Sequence, residues 1–126
     1  MATAYVDSSV LLAITLLEPS GPDAISRMKT FDTVVAANLV EAEVRATWAR
    51  ESTDGDTPLL DRLEWTSIDR PLSAEIGRVL AAGYVRGAAC WHLATALYLD
   101  PTAESLTFLT LDARQRAVAE ALGFRT

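Results

Sequence analysis

The stretch Thr3-Ala4-Tyr5-Val6-Asp7-Ser8-Ser9 near the amino end decides the fold of this chain. Its tyrosine and valine favour a β-strand, and the apolar run 10–17 that follows predicts a helix. Asp7 therefore falls where a buried strand gives way to a helix, and we expect Ser8 or Ser9 to be the N-cap. Ligands bind at the carboxyl ends of strands in open α/β sheets, so Asp7 is either a helix cap or a candidate for chemistry.

Composition indicates a globular protein. The 126 residues are 50% hydrophobic and 22% charged, and we expect residues 1–126 to form a single domain. The only cysteine cannot form an internal disulfide, and no signal peptide is visible, so we expect a cytoplasmic location without membrane association. The net charge of −6 argues against non-specific nucleic-acid binding. It does not exclude an enzyme that acts on nucleic acid, because a carboxylate cluster loaded with Mg²⁺ becomes electropositive.

A second strand–acid–helix junction lies near the carboxyl end. The segment 106–111 predicts a strand that ends at Asp112, and 113–122 predicts a helix that Gly123 stops. In a parallel sheet the two junctions would bring the carboxylates of Asp7 and Asp112 to one edge, which favours a site over two separate caps. The remaining elements predicted from the sequence are helices at 23–31, 39–51, 58–63, 71–83 and 90–99 and short strands at 33–36 and 65–68.

The predicted helix 39–51 carries two acids on different faces, since Glu41 and Glu43 are about 200° apart around the axis. Glu41 precedes Arg45 by one helical turn, which predicts a surface ion pair. Glu43 has no such partner and has apolar neighbours, an arrangement that is costly unless a cationic group meets the carboxylate. Glu43 is therefore either a site residue or a partly exposed structural glutamate.

His92, the only histidine, lies in a predicted helix that is apolar nearly all round, so we expect a hydrogen-bonded core residue. A Ser-His-Asp triad with Ser8 or Ser9 lacks the Gly-x-Ser-x-Gly elbow that would support it. A haloacid-dehalogenase-type phosphatase would need a second aspartate where Ser9 stands. A response-regulator receiver would need a lysine after a late strand, whereas the only lysine is Lys29.

Four segments, taken together and in order, resemble the PIN domain, and most closely the VapC-type toxins of bacterial toxin–antitoxin pairs. The segments are 5–9, 41–45, 92–96 and 107–112, and the resemblance covers essentially the whole chain. It implies an α/β fold, a three-layer α/β/α sandwich with a mostly parallel central sheet. It also implies a metal-dependent endoribonuclease that uses Mg²⁺ or Mn²⁺ held by a cluster of acids. The implied partners are RNA as substrate, a cognate antitoxin protein and a second copy in a homodimer.

The resemblance assigns metal binding and catalysis by position. The first, second and fourth acids of the family pattern correspond to Asp7, Glu43 and Asp112. The third stands three residues before the His-Leu-Ala motif, where this chain has Ala89. The side chains expected to support these positions by hydrogen bonding are Ser8, Ser9, Asn38 and Thr110. Asn38 is also the expected N-cap of the helix 39–51.

Ala89 is the departure from the family pattern. Alanine cannot bind a cation, and no acid lies between Glu75 and Asp100 to replace the missing one. An aspartate at position 89 would lie in the first turn of its helix, where the macrodipole favours negative charge. Two explanations are open: an engineered replacement that inactivates a toxic nuclease, or a natural pseudoenzyme. We expect an inactive or impaired endoribonuclease, the alternative being a PIN-like module that only binds its antitoxin.

Overall fold

The computed structural model describes residues 2–126, in which four strands form one all-parallel sheet. The strands are β1 (Thr3–Val6), β2 (Thr33–Ala37), β3 (Glu64–Thr66) and β4 (Leu106–Leu109). β1 pairs with β2 on one side and with β4 on the other, in the order β3-β2-β1-β4. Because all strands run the same way, their carboxyl ends share one edge, and the residues that follow β1 and β4 are neighbours there.

Helices connect the strands and cover both faces of the sheet. The helices of the described part are α1 (Ser8–Thr15), α2 (Gly21–Met28), α3 (Leu39–Arg50), α4 (Thr57–Asp61), α5 (Ser73–Ala82), α6 (Gly87–Leu99) and α7 (Ala113–Leu122). Side chains alternate along β1, so Tyr5 lies in a core with α5, α6 and α7, whereas Ala4 and Val6 lie in a second core with α1 and α3. The predicted three-layer α/β/α architecture is therefore confirmed.

Differences from the predicted elements lie mostly at their ends. The prediction for α7 is confirmed to the residue, and Gly123 ends it in the left-handed region at φ 105°. α6 begins at Gly87 rather than at position 90, so position 89 lies in its first turn as expected. β4 ends at Leu109, earlier than predicted, because its neighbour β1 ends at Val6, which pairs with Leu109. Among residues 2–126, no helix combines the length and hydropathy that crossing a membrane requires.

Candidate active site

Asp7 is the N-cap of α1. It has an extended backbone (φ −94°, ψ 176°), and its side chain accepts a hydrogen bond from the Val10 amide. The prediction that Ser8 or Ser9 would cap this helix is wrong, because both serines already lie within α1. Capping uses only part of the hydrogen-bonding capacity of the Asp7 carboxylate.

The Asp7 carboxylate is buried and accepts four hydrogen bonds. Oδ1 accepts from Ser9 Oγ at 2.6 Å and from the Val10 amide at 3.4 Å. Oδ2 accepts from Thr110 Oγ1 at 2.7 Å and from Gln115 Nε2 at 2.8 Å. A carboxylate offers about four lone pairs, so protein donors occupy all of them. Asp7 thus ties the end of β1 to the end of β4 and to α7.

Asp112 lies shortly after the end of β4 and is the N-cap of α7. Its Oδ1 accepts a hydrogen bond from the backbone N–H of Gln115 at 2.9 Å. Its own amide donates to Thr110 Oγ1 at 3.1 Å, and its side chain is exposed. Asp7 and Asp112 therefore lie at the same edge, linked through Thr110 and Gln115. Gln115 was not among the predicted site residues, although a glutamine three residues after an aspartate cap is the sequence pattern of a capping box.

A hydrogen-bonded chain runs from Glu43 through His92 to Tyr5. Glu43 Oε1 lies 2.8 Å from His92 Nε2, and His92 Nδ1 lies 2.8 Å from the Tyr5 hydroxyl. Burial raises the pKa of Tyr5 above its ordinary range, and the charges of Asp7 and Glu43 raise it further. The Tyr5 hydroxyl therefore keeps its proton. If the Tyr5 hydroxyl donates to His92 Nδ1, the other ring nitrogen, Nε2, is the one that donates to Glu43 Oε1.

The hydrogen bonds from Glu43 through His92 to Tyr5 answer two questions that the sequence left open. His92 is the buried core residue that was expected, and it is also the partner that Glu43 lacked. Because both ring nitrogens of His92 are engaged by Tyr5 and Glu43, no Ser-His-Asp triad forms with Ser8 or Ser9. The acid at position 41 faces solvent and pairs with Arg45 at 3.1 Å, as predicted.

Ala89 lies in the first turn of α6, and its side chain is partly exposed. It lines an open cleft of about 470 Å³ together with Asp112. Position 89 thus faces the same space as the exposed carboxylate of the second junction. The other residues that line this cleft are Tyr84, Val85, Arg86 and Arg114.

The four residues predicted to support the acids divide into two pairs. Ser9 and Thr110 both donate to Asp7. The side chains of Ser8 and Asn38 make no hydrogen bond to a candidate acid within residues 2–126. Asn38 does not cap α3 with its side chain either, because its backbone is already helical at φ −58° and ψ −25°.

The site as this chain carries it does not fit a metal centre. In the described part of the chain, no group of three or more histidine, cysteine, aspartate or glutamate side chains is placed to hold an ion. Position 89 offers only a methyl group, and the lone pairs of Asp7 are taken by protein donors. A divalent cation would need a further carboxylate and the displacement of at least one donor from Asp7. The metal-binding and catalytic roles assigned to Asp7, Glu43, Asp112 and position 89 therefore stay predictions.

The buried Asp7 carboxyl predicts a pH dependence of stability. Burial raises its pKa above the ordinary value of 3.8, an effect that hydrogen bonds from Ser9 and Thr110 reduce. The folded state therefore holds this proton more tightly than the unfolded chain. The resulting stabilisation is complete below the unfolded pKa and is lost as the pH rises through the folded pKa. Relative to an Asp7→Asn variant, the parent chain should lose stability over this window and then level off.

Urea unfolding of both chains from about pH 4 to about pH 8 measures this difference in the free energy of unfolding. A difference that stays constant with pH would contradict the prediction. It would mean that the four hydrogen bonds fully compensate the burial of the Asp7 charge.

Comparison with known proteins gives one finding. The model of the PIN domain family matches residues 4–121, which includes both strand–acid–helix junctions and the helix that carries Ala89. Neither the curated proteins nor the solved structures give a match.

Proposed function

Because the chain belongs to the PIN domain family, whose fold is of the nuclease type, we propose that it is a VapC-type ribonuclease toxin impaired by Ala89. The observation that carries the proposal is the shared cleft of Ala89 and Asp112. A carboxylate at position 89 would face a cleft that Asp112 already borders, and Asp112 is joined to the buried Asp7 through Thr110 and Gln115.

The proposed reaction is hydrolysis of an RNA phosphodiester in the cytoplasm. With an acid restored at position 89, the candidate acids would hold a hard divalent cation, Mg²⁺ or Mn²⁺, which would supply an activated water and neutralise charge on the phosphate. Of this chain's residues, Asp7 is fixed in position by its donors, and His92 holds the half-buried Glu43 in one orientation. Asp112 is the acid that the solvent-filled cleft exposes to substrate.

The second candidate function is a pseudoenzyme that only binds an antitoxin. One observation favours it: the hydrogen bonds to Asp7 make this carboxylate a structural link between β1, β4 and α7. A natural protein that had lost its catalytic acid would retain such a link for the stability of the fold.

RNA cleavage by the Ala89→Asp variant separates the two functions. The nuclease proposal expects cleavage of some members of a panel of structured RNAs in the presence of Mg²⁺ or Mn²⁺. An inert variant that also shows no stabilisation by either ion would remove the nuclease and leave the binding module.

The proposal also predicts the assembly of the protein. We expect a homodimer that binds a small antitoxin with a basic or aromatic tail, in which a basic group meets Asp112 and an aromatic group packs on Arg86 or Arg114. Light scattering measures the first expectation, and co-purification with the product of the adjacent reading frame measures the second. A monomer at every concentration would contradict the dimer, and failure to co-purify would contradict the antitoxin.

A further inference from the structure

The arginines of this chain divide into those that the protein engages and those that it does not. Ion pairs with glutamates engage Arg45, Arg50 and Arg70. Backbone carbonyls accept hydrogen bonds from Arg78, Arg116 and Arg125. Within residues 2–126, neither an ion pair nor a hydrogen bond is made by the guanidinium groups of Arg27, Arg62, Arg86 and Arg114.

Two of these unengaged arginines line the cleft of Ala89. Arg86 immediately precedes α6, and Arg114 lies in the first turn of α7. Both are exposed, and the only carboxylate among the described lining residues is that of Asp112. The cleft lining therefore carries a net positive charge, although the chain as a whole carries −6. Such a local reversal of sign attracts an anionic ligand.

The same cleft exposes an aromatic ring. Tyr84 is 67% exposed in the connection between α5 and α6, and it makes no aromatic pair within the described residues. A ring that is this exposed buries little apolar area, so Tyr84 contributes little to the stability of the hydrophobic core. An aromatic face beside cationic side chains is the arrangement on which unpaired bases stack while phosphates are neutralised.

We propose that Tyr84, Arg86 and Arg114 bind single-stranded RNA beside position 89, with the ring of Tyr84 stacked on a base and the guanidinium groups on phosphates. The inference rests on the proposed function and supplies the substrate contacts of the same site. A single strand is specified because a base that is already paired and stacked has no free face for Tyr84.

Fluorescence anisotropy on the chain as it stands tests the proposal, because the proposed function expects little cleavage of the probe with alanine at position 89. The probe is a labelled single-stranded RNA of about 12 nucleotides. The logarithm of the affinity falls linearly with the logarithm of the salt concentration, and each phosphate contact on a single strand makes this slope steeper by about 0.7. Arg86→Gln and Arg114→Gln should each make the slope shallower by about that amount.

The stacking contact has its own signature. Tyr84→Ala should weaken binding by about fivefold to a hundredfold while leaving the salt slope unchanged. Tyr84→Phe should bind like the parent, because stacking uses the ring and not the hydroxyl. A strand of the same length without bases should bind more weakly and should not respond to Tyr84→Ala.

Arg62 supplies the matched control for charge. It is also unengaged, but it lines a cleft with Thr33 and Glu64, at the amino ends of β2 and β3 and so at the opposite edge of the sheet. Arg62→Gln should leave the affinity for RNA within about a factor of two of the parent's. Arg62 lies at the opposite edge of the sheet from the cleft, where salt screens its charge from RNA bound in the cleft. An Arg62 effect equal to those of Arg86 and Arg114 would overturn the proposal.

Three further results would overturn it: no RNA binding by the parent chain at low salt, an unchanged affinity in Tyr84→Ala, or competition by a glutamate decamer as strong as by RNA. The last would mark the cleft as a docking face for an acidic protein. Cleavage by Ala89→Asp that is insensitive to Tyr84→Ala would refute these contacts and leave the nuclease standing. RNA binding without cleavage by Ala89→Asp would refute the nuclease and leave the contacts standing.

Discussion

Ala89→Asp is expected to raise the rate of RNA cleavage by about a hundredfold to ten-thousandfold, the range that one positioned catalytic side chain contributes. The new carboxylate would lie in the first turn of α6, where the helix macrodipole favours negative charge, and would face the cleft that Asp112 borders. Gel analysis of a panel of structured RNAs, with and without Mg²⁺ or Mn²⁺, measures the gain. Expression of the variant without antitoxin should also slow cell growth.

The same substitution should change stability in a way that depends on the metal. Without an ion, a further carboxylate beside Asp112 adds like-charge repulsion, which the helix macrodipole and the nearby Arg86 and Arg114 offset in part, so the melting temperature should fall only slightly. Added Mg²⁺ or Mn²⁺ should raise the melting temperature more in Ala89→Asp than in the parent, because an ion that binds only the folded state stabilises it. This readout does not depend on finding the correct RNA.

Two controls make the experiment specific. Ala89→Asn has nearly the same shape without the charge and should neither cleave RNA nor respond to the ions. Ala89→Asp combined with Asp7→Asn should be inactive if Asp7 belongs to the site. Cleavage by the double variant would show that Asp7 is structural and that the reaction uses other groups.

The two strand–acid–helix junctions could be predicted from the sequence because the patterns that mark them are local, whereas the three-layer architecture was implied by the resemblance to the PIN domain. The strand predicted at 106–111, of which 106–109 form β4, and the helix 113–122 follow from apolar residues, an aspartate cap and a terminal glycine. The face of α5 was harder to predict. Val79 is buried whereas the adjacent Leu80 is 48% exposed, because tertiary packing decides how much of an apolar helix face the core covers.

The acids of the candidate site could be predicted from the sequence, but not all of the side chains that hydrogen-bond to them. The two strand–acid junctions indicated that Asp7 and Asp112 share an edge, since parallel strands end together. The donors Gln115 and His92 could not be assigned, because each lies far along the chain from the carboxylate that it meets. The sequence around a helix does not show which of its faces will contact an acid that is distant in the chain.

Asp7→Ala should lower the free energy of unfolding by about 3 kcal/mol, the cost of leaving buried donors without acceptors. The substitution removes the acceptor of Ser9, Val10, Thr110 and Gln115. Relief of the burial cost of the Asp7 charge offsets part of the loss, while the two hydroxyls can turn toward other acceptors.

Asp112→Ala is the matched control, because Asp112 is also an aspartate N-cap after a strand but is exposed. Its loss should cost about 1 kcal/mol, the usual contribution of a helix cap. Urea unfolding of both variants at one pH measures the two values. Equal losses would mean that Asp7 acts only as a cap, and that its contacts with Thr110 and Gln115 add nothing to stability. A larger loss in Asp7→Ala would establish the carboxylate as the link between the two junctions, whether or not the site binds an ion.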